Sequence, residues 1–104
     1  MSKPTYIYVI GREGGPVKIG VSVQPHGRVI ELQTGCPFPL KLFYAHPIAT
    51  RAEAMQHEAM IHRVYEENRL VGEWFDICEE QGQEAIETTI DIDEHFKQRE
   101  RGLA

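Results

Sequence analysis

The chain has 104 residues, 41% of them hydrophobic and 26% charged, a profile that suits one compact domain, leaves no room for a second and makes disorder the wrong starting point. Eleven Lys and Arg against sixteen Asp and Glu give a net charge of −5 with the five histidines neutral, which taken alone argues against a nucleic-acid-binding surface. The charge is uneven, however: residues 1–72 carry eight basic and six acidic side chains, or +2, and residues 73–104 carry three and ten, or −7.

Tyr6-Ile7-Tyr8-Val9-Ile10 and Val17-Lys18-Ile19-Gly20-Val21, joined by a glycine-rich stretch, predict a β-hairpin. Side chains alternate along a strand, so Ile7, Val9, Ile19 and Val21 are expected on a core face. Tyr6, Tyr8 and Lys18 then project from the other face, where Gly20 leaves room for a close approach. Pro25 opens a short helix to about Gln33 that carries Arg28, and Thr34-Gly35 stops it. Leu40 to His46 reads as a third strand closed by Pro47. Thr50 with Glu53 three residues on is a capping-box pattern that starts a helix through about Asn68.

On that second helix, at about 100° per residue, the face centred on Glu58 also carries Arg51, Ala54, Met55, Ile61, His62 and Tyr65. A carboxylate therefore stands in the middle of a largely apolar stripe. Trp74 to Ile77 is a short extended piece that can add a short strand. The last helix is expected from about Glu80 to Lys97, packing through Ala85, Ile86, Ile90 and Phe96, and it is strongly acidic. The expected fold is α+β, a small three-stranded antiparallel sheet flanked by helices in the order β-β-α-β-α-α. Residues 1–78 form its core, and 79–104 form an acidic C-terminal helix packed on the same domain. Cys36 and Cys78 make no disulfide framework or CxxC pair, and no membrane or signal segment stands out, so a reduced cytoplasmic protein is expected.

Tyr6, Tyr8, Lys18, Arg28, Glu58 and His62 are the polar candidates for a shared site. A carboxylate to hold a divalent metal, a cation to neutralise phosphate and a phenol or ammonium to handle a proton suit phosphodiester hydrolysis. Each also has a structural reading. The tyrosines can be packing residues and Lys18 an edge-strand lysine. Arg28 can pair with Glu31 or Glu58, and His62 can be a hydrogen-bonded structural histidine. Glu58 is the hardest to explain as structure, because a carboxylate in an apolar stripe is costly unless it is paired, protonated or metal-bound.

The order of these residues resembles the GIY-YIG nuclease domain, in particular its phage-type DNA-binding subgroup. Tyr6-Ile7-Tyr8 and Lys18-Ile19-Gly20 stand at its two triplets, and Arg28 follows at the spacing of its helix arginine. Glu58-Ala59-Met60-Ile61-His62 and Gly72-Glu73-Trp74-Phe75 resemble its closing patterns. The resemblance implies a metal-dependent endonuclease that hydrolyses DNA phosphodiester bonds by activated-water attack. In it Tyr8, Lys18, Arg28 and Glu58 would be catalytic, with Glu58 the ligand of one Mg²⁺ or Mn²⁺. Tyr6, Gly20, His62 and Asn68 would bind substrate or support the site. The alternative is a non-catalytic DNA-binding or adaptor module of the same fold. A chain this short would take its target selection from its own core, from a homodimer or from an accessory targeting protein. If the acidic helix competes with DNA, deleting residues after about Glu79 is expected to raise DNA affinity.

Overall fold

The structure, a computed structural model, describes residues 4–102. Strands β1 (Thr5–Gly11) and β2 (Val17–Ser22) form the expected hairpin, with Tyr8 opposite Gly20 and Ile10 opposite Lys18. Helix α1 (Pro25–Gln33) starts on proline and ends at Thr34, ahead of Gly35 at φ 82°. Strand β3 (Lys41–Ile48) pairs antiparallel with β1. It runs two residues past the expected end, and Pro47 lies inside it opposite Tyr6. That is permitted because β3 is an edge strand, where a missing N–H breaks no ladder bond.

Helix α2 (Arg51–Val64) opens at Thr50, whose Oγ1 accepts from the Glu53 N–H at 3.1 Å. It ends earlier than expected, and a separate 3₁₀ turn spans Glu66–Asn68. A two-residue strand, β4 (Trp74–Phe75), then pairs with β2, and α3 (Glu79–Gly102) completes the described chain. The fold is thus α+β with three helices and a four-stranded antiparallel sheet in the order β3-β1-β2-β4, rather than three-stranded. The added strand makes β2 internal. Lys18 therefore has no edge to guard.

Ile7, Val9, Val17 and Ile19 on one face of the sheet form a sealed core with Ala54 and Ile61 of α2 and Ile86 and Ile90 of α3. Gly82 marks the closest approach of α3, since a β-carbon there would stand 3.1 Å from both methyls of Val9. On the opposite face of the hairpin Tyr8 and Ile10 are fully buried and Lys18 is 8% exposed. Tyr6 stays partly open, beside the first turn of α1.

Two expectations for the helices need correction. Phe96 is 59% exposed, whereas Thr89 is buried in its stead. The 24 residues of α3 extend roughly 36 Å at 1.5 Å each, beyond the width of so small a sheet, so the last turns run past the core. On α2, His57 is buried although the stripe centred on Glu58 omits it, and its Nε2 lies 3.8 Å from Asp93 of α3. Among the described residues, no helix is long and apolar enough to cross a membrane.

Candidate active site

Tyr8 and Gly20 face each other across the β1–β2 ladder, and the tyrosine ring lies over the glycine. A β-carbon at Gly20 would stand 2.6 Å from the Tyr8 hydroxyl oxygen, 2.8 Å from its Cζ and 3.0 Å from Glu73 Oε2. The missing side chain is thus what lets a phenol and a carboxylate meet above the strand. Two residue pairs along, on the same face, Lys18 Nζ donates to the same Glu73 oxygen at 2.9 Å.

Glu73 was not among the candidates read from the sequence. It sits in a tight turn closed by the Trp74 N–H donating to the Val71 carbonyl at 3.0 Å, with Gly72 at φ 57°. Its own carbonyl accepts from the Ile19 N–H at 3.2 Å, so the residue is pinned to β2 by its backbone. The only hint in the sequence is a glycine immediately before an acid and two aromatics.

A cleft of about 410 Å³ opens beside this cluster, and Tyr8, Arg28, Glu31, Arg51, Glu58 and Glu73 line it. Glu58 reaches it from α2. Its Oε2 is buried and has no hydrogen-bond partner. Burial first, and the negative charge of Glu73 second, push the Glu58 carboxyl from 4.5 up to about 7, against the opposing pull of Lys18, Arg51 and Arg69. Burial likewise pushes the Tyr8 phenol above its ordinary value, and the nearby Arg28 guanidinium only partly offsets this. Tyr8 is consequently a neutral hydroxyl at neutral pH. Arg28 projects from α1 with its side chain 39% exposed, and its Nη1 donates to Glu31 Oε2 at 2.7 Å.

The structure therefore gathers Tyr8, Arg28 and Glu58 around one cleft, with Gly20 and Lys18 beneath through Glu73. It does not gather the remaining candidates. Tyr6 lines a neighbouring cleft with Pro25, Leu42 and Ala45. His62 is buried and has both ring nitrogens engaged, Nε2 at 2.9 Å from the Ile19 carbonyl and Nδ1 at 3.2 Å from Arg69 Nη2. Arg69 can only donate, so Nδ1 accepts and Nε2–H donates to the carbonyl. That arrangement fixes a neutral imidazole with no lone pair left for a metal. Asn68 lies exposed in the 3₁₀ turn, and its backbone carbonyl accepts from the Asp76 N–H at 2.8 Å. It is absent from the residues that line the cleft.

No group of three or more His, Cys, Asp or Glu side chains converges as a metal cage among the described residues. The donor set fits a hard cation of the Mg²⁺ type, which keeps most of its waters and takes one or two carboxylates. A carboxylate oxygen buried without a partner, with a second carboxylate lining the same cleft, is suited to such an ion.

Across residues 5–90 the chain matches the family model of the T5orf172 domain. The chain belongs to the T5orf172 domain family. This overturns the assignment to the GIY-YIG family: its two triplets are residue types that any tight antiparallel hairpin favours, and the Arg28 spacing and the closing patterns at Glu58 and Gly72 do not single that family out. The T5orf172 domain is a phage-associated domain of nuclease-like or DNA-binding type. Its match takes in β1 through the first half of α3, and so includes every residue of the cleft. No curated protein and no solved structure matches the chain.

Proposed function

We propose that this T5orf172 domain is a metal-dependent endonuclease that hydrolyses DNA phosphodiester bonds at the cleft between α1, α2 and the β2–β4 edge. The observation that carries the reading is the Glu58 oxygen, buried and unpaired beside a cleft that also holds an arginine and a phenol. A buried carboxylate left without a partner is costly to keep for structural reasons alone.

Each residue then has a chemical task. Glu58 would hold one Mg²⁺ or Mn²⁺. When bound there, such an ion supplies Lewis-acid neutralisation of the phosphate and a coordinated water of lowered pKa. Arg28, part-exposed at the cleft, has a fork that matches two non-bridging phosphate oxygens once it leaves Glu31. The exchange costs little, because an exposed ion pair contributes about 0–1 kcal/mol. Tyr8, held neutral, orients the attacking water through its hydroxyl. Lys18 supplies fixed positive charge below the site, worth more there than in bulk water.

The test is incubation of supercoiled plasmid and of branched DNA with the protein and Mg²⁺ or Mn²⁺, alongside Glu58→Ala and Tyr8→Phe. Cleavage by the native chain that disappears in Glu58→Ala and falls in Tyr8→Phe supports the reading. Salt-sensitive DNA binding without cleavage would favour a non-catalytic DNA-binding or adaptor module. Cleavage that survives both substitutions would assign the chemistry elsewhere.

A further inference from the structure

Two carboxyl groups and one ammonium meet at the floor of the cleft, and the ammonium, which has three N–H donors, hydrogen-bonds only one of the two. Lys18 is the cation. Its side chain is 10% exposed and its Nζ lies 2.9 Å from Glu73 Oε2. A charge so far removed from water requires a carboxylate partner. Glu58 is the other carboxylate within its electrostatic reach, yet Glu58 Oε2 has no hydrogen bond at all. Taking up that oxygen would satisfy both groups, and Lys18 does not do it.

What decides the pairing is built into the backbone. Glu73 is fixed by the turn at Gly72 and by the hydrogen bond from Ile19 N–H to its carbonyl. Its carboxylate reaches Lys18 over Gly20, where any side chain would intrude 3.0 Å from Oε2. Glu73 itself is 38% exposed and remains partly hydrated. The pair thus sets a buried ammonium against a carboxylate that is partly hydrated, and leaves unpaired the buried Oε2 of Glu58.

We infer that Glu73 is a positioning residue that holds the Lys18 ammonium off Glu58, so that one Glu58 oxygen stays unpaired beside the cleft for a divalent cation. The identity of the ligand rests on the hydrolytic reading above, whereas the exchange of partners does not. Without Glu73, Lys18 turns to Glu58 and occupies the oxygen that the cation needs.

The experiment compares the native chain with Glu73→Ala, Glu73→Gln and the double variant Glu73→Ala/Lys18→Met, using two readouts that need no turnover. One is the position of Lys18 Nζ, from crystal structures or from lysine-ammonium NMR. The other is Mn²⁺ affinity, by calorimetry. In Glu73→Ala, Lys18 Nζ is expected on Glu58 and Mn²⁺ affinity is expected to fall roughly ten- to a hundredfold, as for loss of a partner that orients a ligand. Glu73→Gln, which keeps an acceptor for Lys18 and the shape of the turn, is expected to fall less. It also serves if the alanine variant does not fold. In the double variant most of the affinity is expected to return, a coupling that only an effect through Lys18 produces.

A double variant as weak as Glu73→Ala would make Glu73 a cation ligand in its own right and overturn the inference. So would a Lys18 that stays away from Glu58 in both single variants. If the native chain takes up no Mn²⁺ while Lys18 still moves onto Glu58 in Glu73→Ala, the pairing rule is upheld and the hydrolytic reading falls.

Discussion

The Tyr8 hydroxyl lies 2.6 Å from the point where a β-carbon at Gly20 would stand, and the ring that carries it is 1% exposed. A ring packed on every side cannot swing away, so the strand opposite has to carry glycine. In Gly20→Ala the phenol and the strand must therefore separate. Forcing extra atoms into a packed site costs about 1–3 kcal/mol, and displacement of a catalytic group by about 1 Å can cost about a hundredfold in rate. Gly20→Ala is expected to remain folded with a lower urea midpoint and to lose DNA cleavage by at least that factor. Full cleavage by a stable Gly20→Ala protein would show that Tyr8 takes no part.

Glu58 should make the protein less stable as pH rises. Its carboxyl titrates at about 7 when folded against 4.5 in its ordinary state, so between those values the folded chain keeps a proton that the unfolded chain has released. Stability is then highest below about pH 4.5, falls as pH rises toward 7 and is level above. For a half-buried, partly screened group the loss is of order 1–2 kcal/mol. Glu58→Gln stays neutral throughout. It should match the native chain in urea unfolding near pH 4.5 and exceed it at pH 8. Equal midpoints at both pH values would show that Glu58 is not destabilised by its surroundings.

Much of this site can be read from the chain before any coordinates. The alternation in β1 and β2 puts Tyr8 and Lys18 on one face, and the helical angle of Glu58 marks it as a charge in the wrong place. Local rules carry Pro25 and Thr50 as well, because each satisfies backbone groups within one turn. Glu73 escapes such rules. Its partner is 55 positions away, and the two-residue strand that brings it there is shorter than any hydrophobic period. His62 illustrates the converse: one turn after Glu58 it looks like a second ligand, and only the carbonyl of Ile19 and the guanidinium of Arg69 reveal its use.

That use predicts a stability phenotype. His62 ties α2 to β2 through the Ile19 carbonyl, with Arg69 on its other nitrogen and the Phe75 ring 4.9 Å from its own. His62→Ala leaves a buried carbonyl without that donor, at a cost of about 1–3 kcal/mol. It should lower the urea midpoint accordingly while leaving Mn²⁺ affinity within about twofold of native at a temperature where both are folded. A large loss of Mn²⁺ binding with native stability would make His62 a ligand after all.

Arg28 should behave in the opposite way. Its side chain is part-exposed and pairs with Glu31 three residues on, so Arg28→Ala should shift stability by less than about 0.5 kcal/mol. If the guanidinium meets charge that develops on phosphate, single-turnover cleavage should drop by about a hundred- to a thousandfold. Arg28→Lys should recover little of this, because a point charge does not reproduce two parallel donors. Cleavage within a few-fold of native in Arg28→Ala would leave the arginine as a surface residue.

The acidic helix raises the question of whether it screens the cleft from DNA, and the fold rules out truncation as the means of asking. Gly82, Ile86 and Ile90 of α3 close the core over Val9 and Val17, so removing the chain after Glu79 would expose the sheet. Because Val9 and Tyr8 point to opposite faces, α3 lies across the sheet from the Tyr8 hydroxyl. Its exposed acids then reach bound DNA only through their field, which salt screens over about 8 Å at physiological ionic strength. Replacing Glu84, Glu87, Asp91 and Glu94, all exposed, with their amides should therefore tighten duplex binding by only about two- to threefold at low salt and not measurably at 0.15 M. Fluorescence anisotropy with a labelled duplex checks this. A tenfold gain that persists at 0.15 M would place α3 in the path of the nucleic acid.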